Sequence, residues 1–246
     1  MASFLTAEWR KLIMAQYEVA PEVLAPYLPI GLELDLFHGQ CYVSLVGFLF
    51  DKVRVKGYAV PGHTSFEEIN LRFYVRRREV DGSVKRGVVF IREFVPRQAI
   101  AWMAKRFYEE PYLAIPTQHQ FGAKGDLVSA KYAWGMGGRV HSLSVFAYRP
   151  AQAIAPGSEE EFVTEHYWGY TKRSDGTTSV YQVEHPRWET YRVQSYEVDV
   201  DFERLYGREF GFLNETGESS VLLAEGSAVT VGVGSRLTAG WGCVPG

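Results

Sequence analysis

Apolar and polar residues alternate with period two along most of this chain, the pattern of strands whose two faces meet different surroundings. "KLIMAQYEV" (11–19) reads as a strand and "GQCYVSLVGFLFDKVRV" (39–55) as a longer, more apolar one. "SFEEINLRFYVRRREVDGSVKRGVVFIREFVP" (65–96) reads as a hairpin, because two β-rich runs flank Asp81-Gly82, a strong turn signal. Further strands are expected at 126–136, 138–150, 165–185 (with a second Asp-Gly turn) and 189–202. The period changes in three places. "APEVLAPYLPIGLEL" (20–34) has Pro21 at a helix start, and Val23, Leu24 and Leu28 on one face. "RQAIAWMAKRFYEE" (97–110) repeats Ala99, Ile100, Met103 and Phe107 at helical spacing up to Pro111. "GSEEEFVTE" (157–165) is a short acidic helix start with a serine N-cap. The pattern predicts one mainly antiparallel β domain over 1–233 with a few short helices, and an irregular glycine-rich tail over 234–246.

Composition narrows the function classes. A chain of 246 residues is long enough for a sizeable core, and its 15 Phe, 15 Tyr and 6 Trp suit a lined β interior or simply a packed one. The formal net charge of −3 supplies no basic field for nucleic acid, and "VRRRE" (75–79) is a short solvated hairpin end. The N-terminal "MASFLTAEWRK" lacks the apolar core of a signal peptide, and no apolar run is long enough for a membrane helix. Cys41 and Cys243 have no metal-ligand spacing, and Cys41 reads as a small core residue. These features suggest a cytoplasmic protein without metal or cofactor, with no nucleic-acid or membrane partner; self-association is left open.

The familiar catalytic motifs are absent: no GxSxG elbow, P-loop, GxGxxG turn or HExxH pair occurs. The chemistry must come from dispersed residues. On a strand over 65–75, Phe66, Glu68, Asn70 and Arg72 share one face, and Glu67, Ile69, Leu71 and Phe73 share the other. One of the two glutamates must therefore point into the enclosed side. A buried carboxyl needs a partner and has a raised pKa, which suits acid–base work as well as a structural ion pair with Arg72 or Arg10. In "VEHPRW" (183–188), His185 is held extended by Pro186 and Trp188 covers it, making it a candidate acid, base or surface cap. "TEHYWGYTK" (164–172) places His166, Trp168, Tyr170 and Lys172 at alternate positions, as a pocket wall or an ordinary sheet face.

Seven segments in order, "WRKL", "PEVLAPYLPIGLELD", "GQCYVSLVGFLF", "FEEINLRFYVRR", "RGVVFIREFVP", "TEHYWGYT" and "VEHPRW", resemble the YqjF-like family, domain of unknown function 2071, from about residue 8 to about 205. The family resembles the acetoacetate decarboxylase superfamily, which implies an antiparallel β-barrel-like core around a cavity. In the decarboxylases one lysine of a pair after a helix forms a Schiff base with a keto acid, and the second lysine lowers its pKa. The matching segment here is "EEPYLAIP", with Pro111 and Leu113 in place and Tyr112 where the lysines would stand. Lys105 lies about two turns back. A tyrosine forms no Schiff base, so the resemblance implies the fold without that chemistry. The superfamily's arginine maps to Arg10, seven residues before Tyr17, and its pocket glutamate to Glu68.

Three readings follow. The first is a protein that binds a small organic acid or carbonyl compound, with Arg10, Asn70, Tyr112 and Trp168 contacting it. The second is an enzyme of this fold with lysine-independent acid–base chemistry at Glu68 or His185. The third is a structural or interaction module. The first two expect Arg10, Glu68 and Tyr112 to converge on one pocket.

Overall fold

The computed structural model describes residues 3–98 and 110–237, and the account below concerns those residues. The chain is mostly strand. The first half contains β1 (Ser3–Val19), β2 (Glu33–Leu34), β3 (Cys41–Val55), β4 (Phe66–Arg78), β5 (Val84–Val95), β6 (Tyr112–Ala114) and β7 (Thr117–Lys124). The second half adds β8 (Leu127–Met136), β9 (Arg139–Ala153), β10 (Trp168–Lys172), β11 (Thr178–Glu184), β12 (Glu189–Asp199), β13 (Ser220–Gly232) and β14 (Ser235–Leu237). Three short helices, α1 (Pro21–Leu24), α2 (Glu159–Thr164) and α3 (Phe202–Tyr206), lie between them.

Seven strands close on themselves in the order β11, β10, β5, β4, β3, β1, β13, and β13 pairs back to β11 through Val183↔Val231 and Glu184↔Thr230. Every contact in this ring is antiparallel except β5–β10. From β13 the sheet continues as β12, β9, β8 and β7, which fold over the outside of the ring. Between the two leaves lies one core, where Ile13, Leu45, Leu71 and Phe73 meet Tyr132, Trp134, Leu143 and Val145. Inside the ring lies a second core that includes Met14, Val46, Phe48, Phe66 and Val88. Both faces of β1, β3, β4 and β5 are therefore covered, which explains the near-continuous apolar runs of these strands.

The predicted hairpin over 65–96 forms as β4 and β5, with Ser83 N–H and Oγ both donating to Asp81 Oδ1 at 2.9 and 2.6 Å. Ser158 caps α2 by accepting from Glu161 N–H at 3.1 Å. The helix expected to start at Pro21 and to stop at "LPIG" (28–31) is only one α turn, followed by a 3-10 turn at Ala25–Tyr27, because Pro26 lacks the N–H group a longer helix needs. The helix expected at 97–110 falls largely on 99–109, outside the described residues. Past 234, where an irregular tail was expected, β14 adds to the sheet beside β11. β2, β6, β7, β13 and β14 have no counterpart among the strands expected from the sequence. β7 is a largely exposed edge strand with little alternation, and β13 is interrupted by Gly226.

Two irregularities set which residues face the ring interior. In β1, Arg10 pairs with Leu49 and Ile13 with Gly47, so Lys11 and Leu12 together oppose Phe48, with Lys11 at φ 53°. This bulge reverses the alternation: Leu5 and Trp9 line the interior before it, Leu12 and Met14 after it. In β5, Phe90 pairs with Arg72 and Arg92 with Leu71, leaving Ile91 as the extra residue. Val88 and Phe90 point inward before this bulge, and Glu93 and Val95 after it.

Opposite the β1 bulge, Gly226 sits at φ +82°, and a Cβ there would lie 2.0 Å from the Trp9 carbonyl oxygen. Gly226→Ala therefore adds left-handed strain to a backbone clash. We expect it to lose more than ~2 kcal/mol of stability in urea unfolding; a loss below ~0.5 kcal/mol would mean that the bulge tolerates a side chain.

Candidate functional site

The ring surrounds a cavity of about 140 Å³. A single water needs only ~10–15 Å³, so a small organic molecule fits. Much of the wall is apolar: Trp9, Leu12, Phe48, Phe50, Phe66 and Trp188 contribute to it. Set into this wall is a group of acids.

The inward face of β4 carries Phe66, Glu68, Asn70 and Arg72, as its period-two pattern predicts. Asn70 lies opposite Glu93 on β5, and Glu93 lies opposite Tyr112 on β6. Just before β6, the Pro111 carbonyl accepts from Glu93 N–H at 3.2 Å, which docks Glu110 against the same wall. Three carboxyl groups, Glu68, Glu93 and Glu110, thus gather in the interior at 3%, 1% and 4% exposure. Glu68 accepts from Asn70 Nδ2 at 3.0 Å and from the Tyr112 hydroxyl at 2.8 Å. Glu110 accepts from the Tyr181 hydroxyl at 2.6 Å. Neither oxygen of Glu93, nor Asn70 Oδ1, has a hydrogen-bond partner among the described residues. None of the three carboxyls forms an ion pair with a described cation.

Burial is the main reason all three hold their protons to unusually high pH. Glu68 is raised to about 7 and Glu110 to about 8. Glu93 lies well above the ordinary carboxyl value, because the charges of Glu110 and Glu68 add to its burial. At neutral pH the cluster therefore holds shared protons rather than three charges.

Tyr181 reaches Glu110 across a close strand contact. It pairs with Gly169 on β10, and a Cβ at 169 would lie 2.2 Å from the Tyr181 ring. Only glycine leaves room for that ring, so the Tyr181–Glu110 bond depends on Gly169.

A second polar group lies elsewhere along the wall. His166 has its Nε2 3.1 Å from Asp35 Oδ2, and Arg86 Nε donates to the same oxygen at 2.6 Å. Burial lowers the His166 pKa to about 4, so its ring is neutral, and Nδ1 has no partner among the described residues. Arg72 donates through Nη2 to the Val163 carbonyl at 3.1 Å, while its Nε has no described partner.

The residues expected from the sequence divide clearly. Glu68, Asn70 and Tyr112 meet in one hydrogen-bonded group, and Trp168 and His185 line the same cavity. His185 stacks on Trp188 at 4.3 Å and donates from Nδ1 to the Pro186 carbonyl at 2.9 Å; burial lowers its pKa. Tyr170 packs in the outer core instead, and Lys172 donates to the Pro26 carbonyl. Arg10 does not join the pocket. The β1 bulge turns it to the other face, where it pairs with Glu8 at 2.7 Å. Nor does Glu68 pair with Arg72 or Arg10, as a structural ion pair would require. Glu93, Glu110 and Tyr181 were not found from the sequence. Strict alternation from Val88 and Phe90 would have placed Arg92 inward; the bulge at Ile91 places Glu93 there.

The family model described as an uncharacterized conserved protein, DUF2071, matches residues 6–228. The chain belongs to the DUF2071 family. A curated relative, the uncharacterized protein YqjF of Bacillus subtilis (strain 168), is 26% identical over 167 residues, spanning 66% of this chain and 65% of that protein. Among solved structures, the acetoacetate decarboxylase of Legionella pneumophila superposes at a TM-score of 0.63 with 14% identity, covering 96% of this chain and 88% of that one. The enduracididine biosynthesis enzyme MppR, complexed with pyruvate, gives 0.65 with 14% identity over 97% and 92% of the two chains. An acetoacetate decarboxylase-like enzyme from Sphingomonas wittichii RW1 gives 0.65 with 11% identity over 96% and 94%. At these identities the likeness is one of fold. This DUF2071 protein thus has the acetoacetate decarboxylase-like architecture. No helix among its described residues is long and apolar enough to cross a membrane.

The raised carboxyls fix the sign of a pH effect. Below the ordinary carboxyl pKa, the folded and unfolded states are both protonated. Between that value and about 7 to 8, the folded state keeps protons that the unfolded state has released, so stability falls as pH rises. His166, held near 4, acts in the opposite sense up to the ordinary histidine range, so the carboxyl effect is read above pH ~6.5. We expect chemical denaturation to show stability falling from pH ~6.5 to ~8, by up to ~1.4 kcal/mol per proton per pH unit. Glu110→Gln, which keeps an acceptor for Tyr181, should flatten the slope. An unchanged slope would mean that Glu110 is already ionised at pH ~6.5.

Proposed function

We propose that this cavity binds a small organic acid or carbonyl compound and acts without a Schiff-base lysine. The observation that carries the reading is the carboxyl group of Glu68, buried in an apolar-walled cavity and oriented by Asn70 and Tyr112. Such an arrangement suits a polar ligand of few atoms. Arg72 lines the cavity with an unpartnered Nε–H, placing a donor where a carboxylate or carbonyl oxygen needs one. It takes the part that the sequence alone suggested for Arg10. Tyr112 orients Glu68, and Trp168 and His185 bound the space. No described residue of the lining is a lysine. The pyruvate held by MppR, a protein of the same fold, is a ligand of the proposed size and class.

A second reading, acid–base catalysis, is favoured by one observation: Glu68 is raised to about 7, where it exchanges protons readily. Ionised Glu68 would take a proton from the carbon beside a carbonyl. The C–H electron pair would move into a carbon–carbon double bond, and the carbonyl oxygen would receive a proton from Glu93. The product is the enol, with no covalent intermediate on the protein.

Treatment with borohydride in the presence of pyruvate or acetoacetate should leave no stoichiometric adduct by mass spectrometry. An adduct on Lys105 or Lys172 would restore the imine mechanism. In thermal-shift titrations with the same acids, Arg10→Ala should behave as wild type, while Arg72→Gln and Tyr112→Phe should weaken the effect about tenfold, the scale of one lost hydrogen bond to a charged group. Equal responses in all the variants would remove Arg72 and Tyr112 from the site.

A further inference from the structure

The acids of the cavity have more acceptors than the surrounding residues satisfy. Glu93 is 1% exposed and lines the cavity, yet both of its oxygens lack a partner among the described residues, as does Asn70 Oδ1 beside it. A proton shared between Glu93 and Glu68 satisfies one of these three acceptors and leaves two. Tyr112 and Tyr181 cannot help, because their hydroxyls already donate to Glu68 and Glu110. Unmet acceptors in a buried site are costly, and they mark where a ligand supplies donors.

Three acids around one space, with no described cation paired to them, select more than a donor. They select positive charge. The apolar wall is largely aromatic, with Trp9, Phe48, Phe50, Phe66 and Trp188 lining it. Among small ligands, an ammonium brings three N–H donors and a guanidinium five in a plane, and either matches two or three acceptors around a carboxylate.

We propose that the ligand of this cavity carries a cationic nitrogen, an ammonium or guanidinium, held by Glu93 and Asn70 between Glu68 and Glu110. This inference deepens the proposed function and rests on it for the existence of a ligand in the cavity. If Arg72 holds the acid or carbonyl end, the ligand is a small compound with an anionic or carbonyl oxygen at one end and a basic nitrogen at the other, of amino-acid type. Cation binding displaces the shared protons of the cluster, so affinity increases as pH rises. The titratable and charged groups described in the cavity lining are Glu68 and Arg72 on β4, Glu93 on β5, Glu110 and Tyr112 at β6, His166, Tyr181 on β11 and His185, and burial lowers the pKa of both histidines. Of these, only Arg72 is a cation, and its charge opposes the ligand nitrogen without titrating.

Isothermal titration with 4-guanidinobutanoate, agmatine, butanoate and pyruvate tests the assignment. At pH 8, 4-guanidinobutanoate should bind at least tenfold more tightly than butanoate. Its affinity should be about tenfold lower at pH 6, and proton release near pH 7 should appear as a difference in heat between two buffers of unlike ionisation enthalpy. Glu93→Gln has the same shape and adds donors in place of the charge; it should abolish the preference while retaining the wild-type circular dichroism. If this variant does not fold, the wild-type pH profile and buffer heats still decide. Butanoate or pyruvate binding as tightly as the guanidino acid, without proton release, would overturn the cation site and leave the organic-acid reading standing. Agmatine binding while butanoate and pyruvate do not would support the cation site and overturn the organic-acid reading. No binding by any of the four would overturn both.

Discussion

Two residue pairs between β11 and β13 turn an open sheet into a ring, and the chemistry of the interior depends on that closure. Without it, the second half of β11 would be an edge, and Tyr181, Val183 and His185 would face water rather than the opposite wall. The carboxyls would then be solvated, and the burial that raises their pKa values would be lost. The second leaf, β12 to β7, covers the outside of the ring, so the strands bearing the acids are held from both sides. Closure and outer packing together keep a polar group of this density in place, since acids left unpaired inside an open sheet would draw in water.

The interior is also organised by departures from regular strand geometry. The β1 bulge removes Arg10 from the cavity, and the β5 bulge brings Glu93 in. Regular alternation counted back from Leu12 and Met14 would place Arg10 inside, and counted on from Val88 and Phe90 it would place Arg92 inside and Glu93 outside. The site as built has an excess of acids with Arg72 set beside them, an arrangement suited to shared protons and to ligands that bring donors. Gly169 and Gly226 serve the same end at two close approaches, one giving space to the Tyr181 ring and the other to the bulged β1 backbone.

Likeness to the acetoacetate decarboxylase fold extends over nearly the whole chain at 14% identity or less. A scaffold that closes a sheet around a small cavity serves several chemistries, because the residues pointing inward change while the apolar pattern of the strands persists. Here the Tyr112 hydroxyl, carried on β6, orients Glu68.

Much of this was legible in the sequence, and the limits have a common physical cause. Period-two patterning located β1, β3, β4, β5 and most later strands, and it placed Glu68, Asn70 and Arg72 together on one face of β4, the face that the structure turns inward. Family resemblance supplied the architecture and singled out Tyr112. Local chemistry was enough for these because strand alternation, Asp-Gly turns and a serine cap act over a few residues. The convergence of Glu93, Glu110 and Tyr181 on Glu68 was decided only by tertiary structure, as was the exclusion of Arg10. A bulge inserts one residue without altering composition, and it reverses the face of every residue beyond it. Whether a strand bulges depends on the partner strand and on a glycine such as Gly226, more than two hundred residues away in the chain.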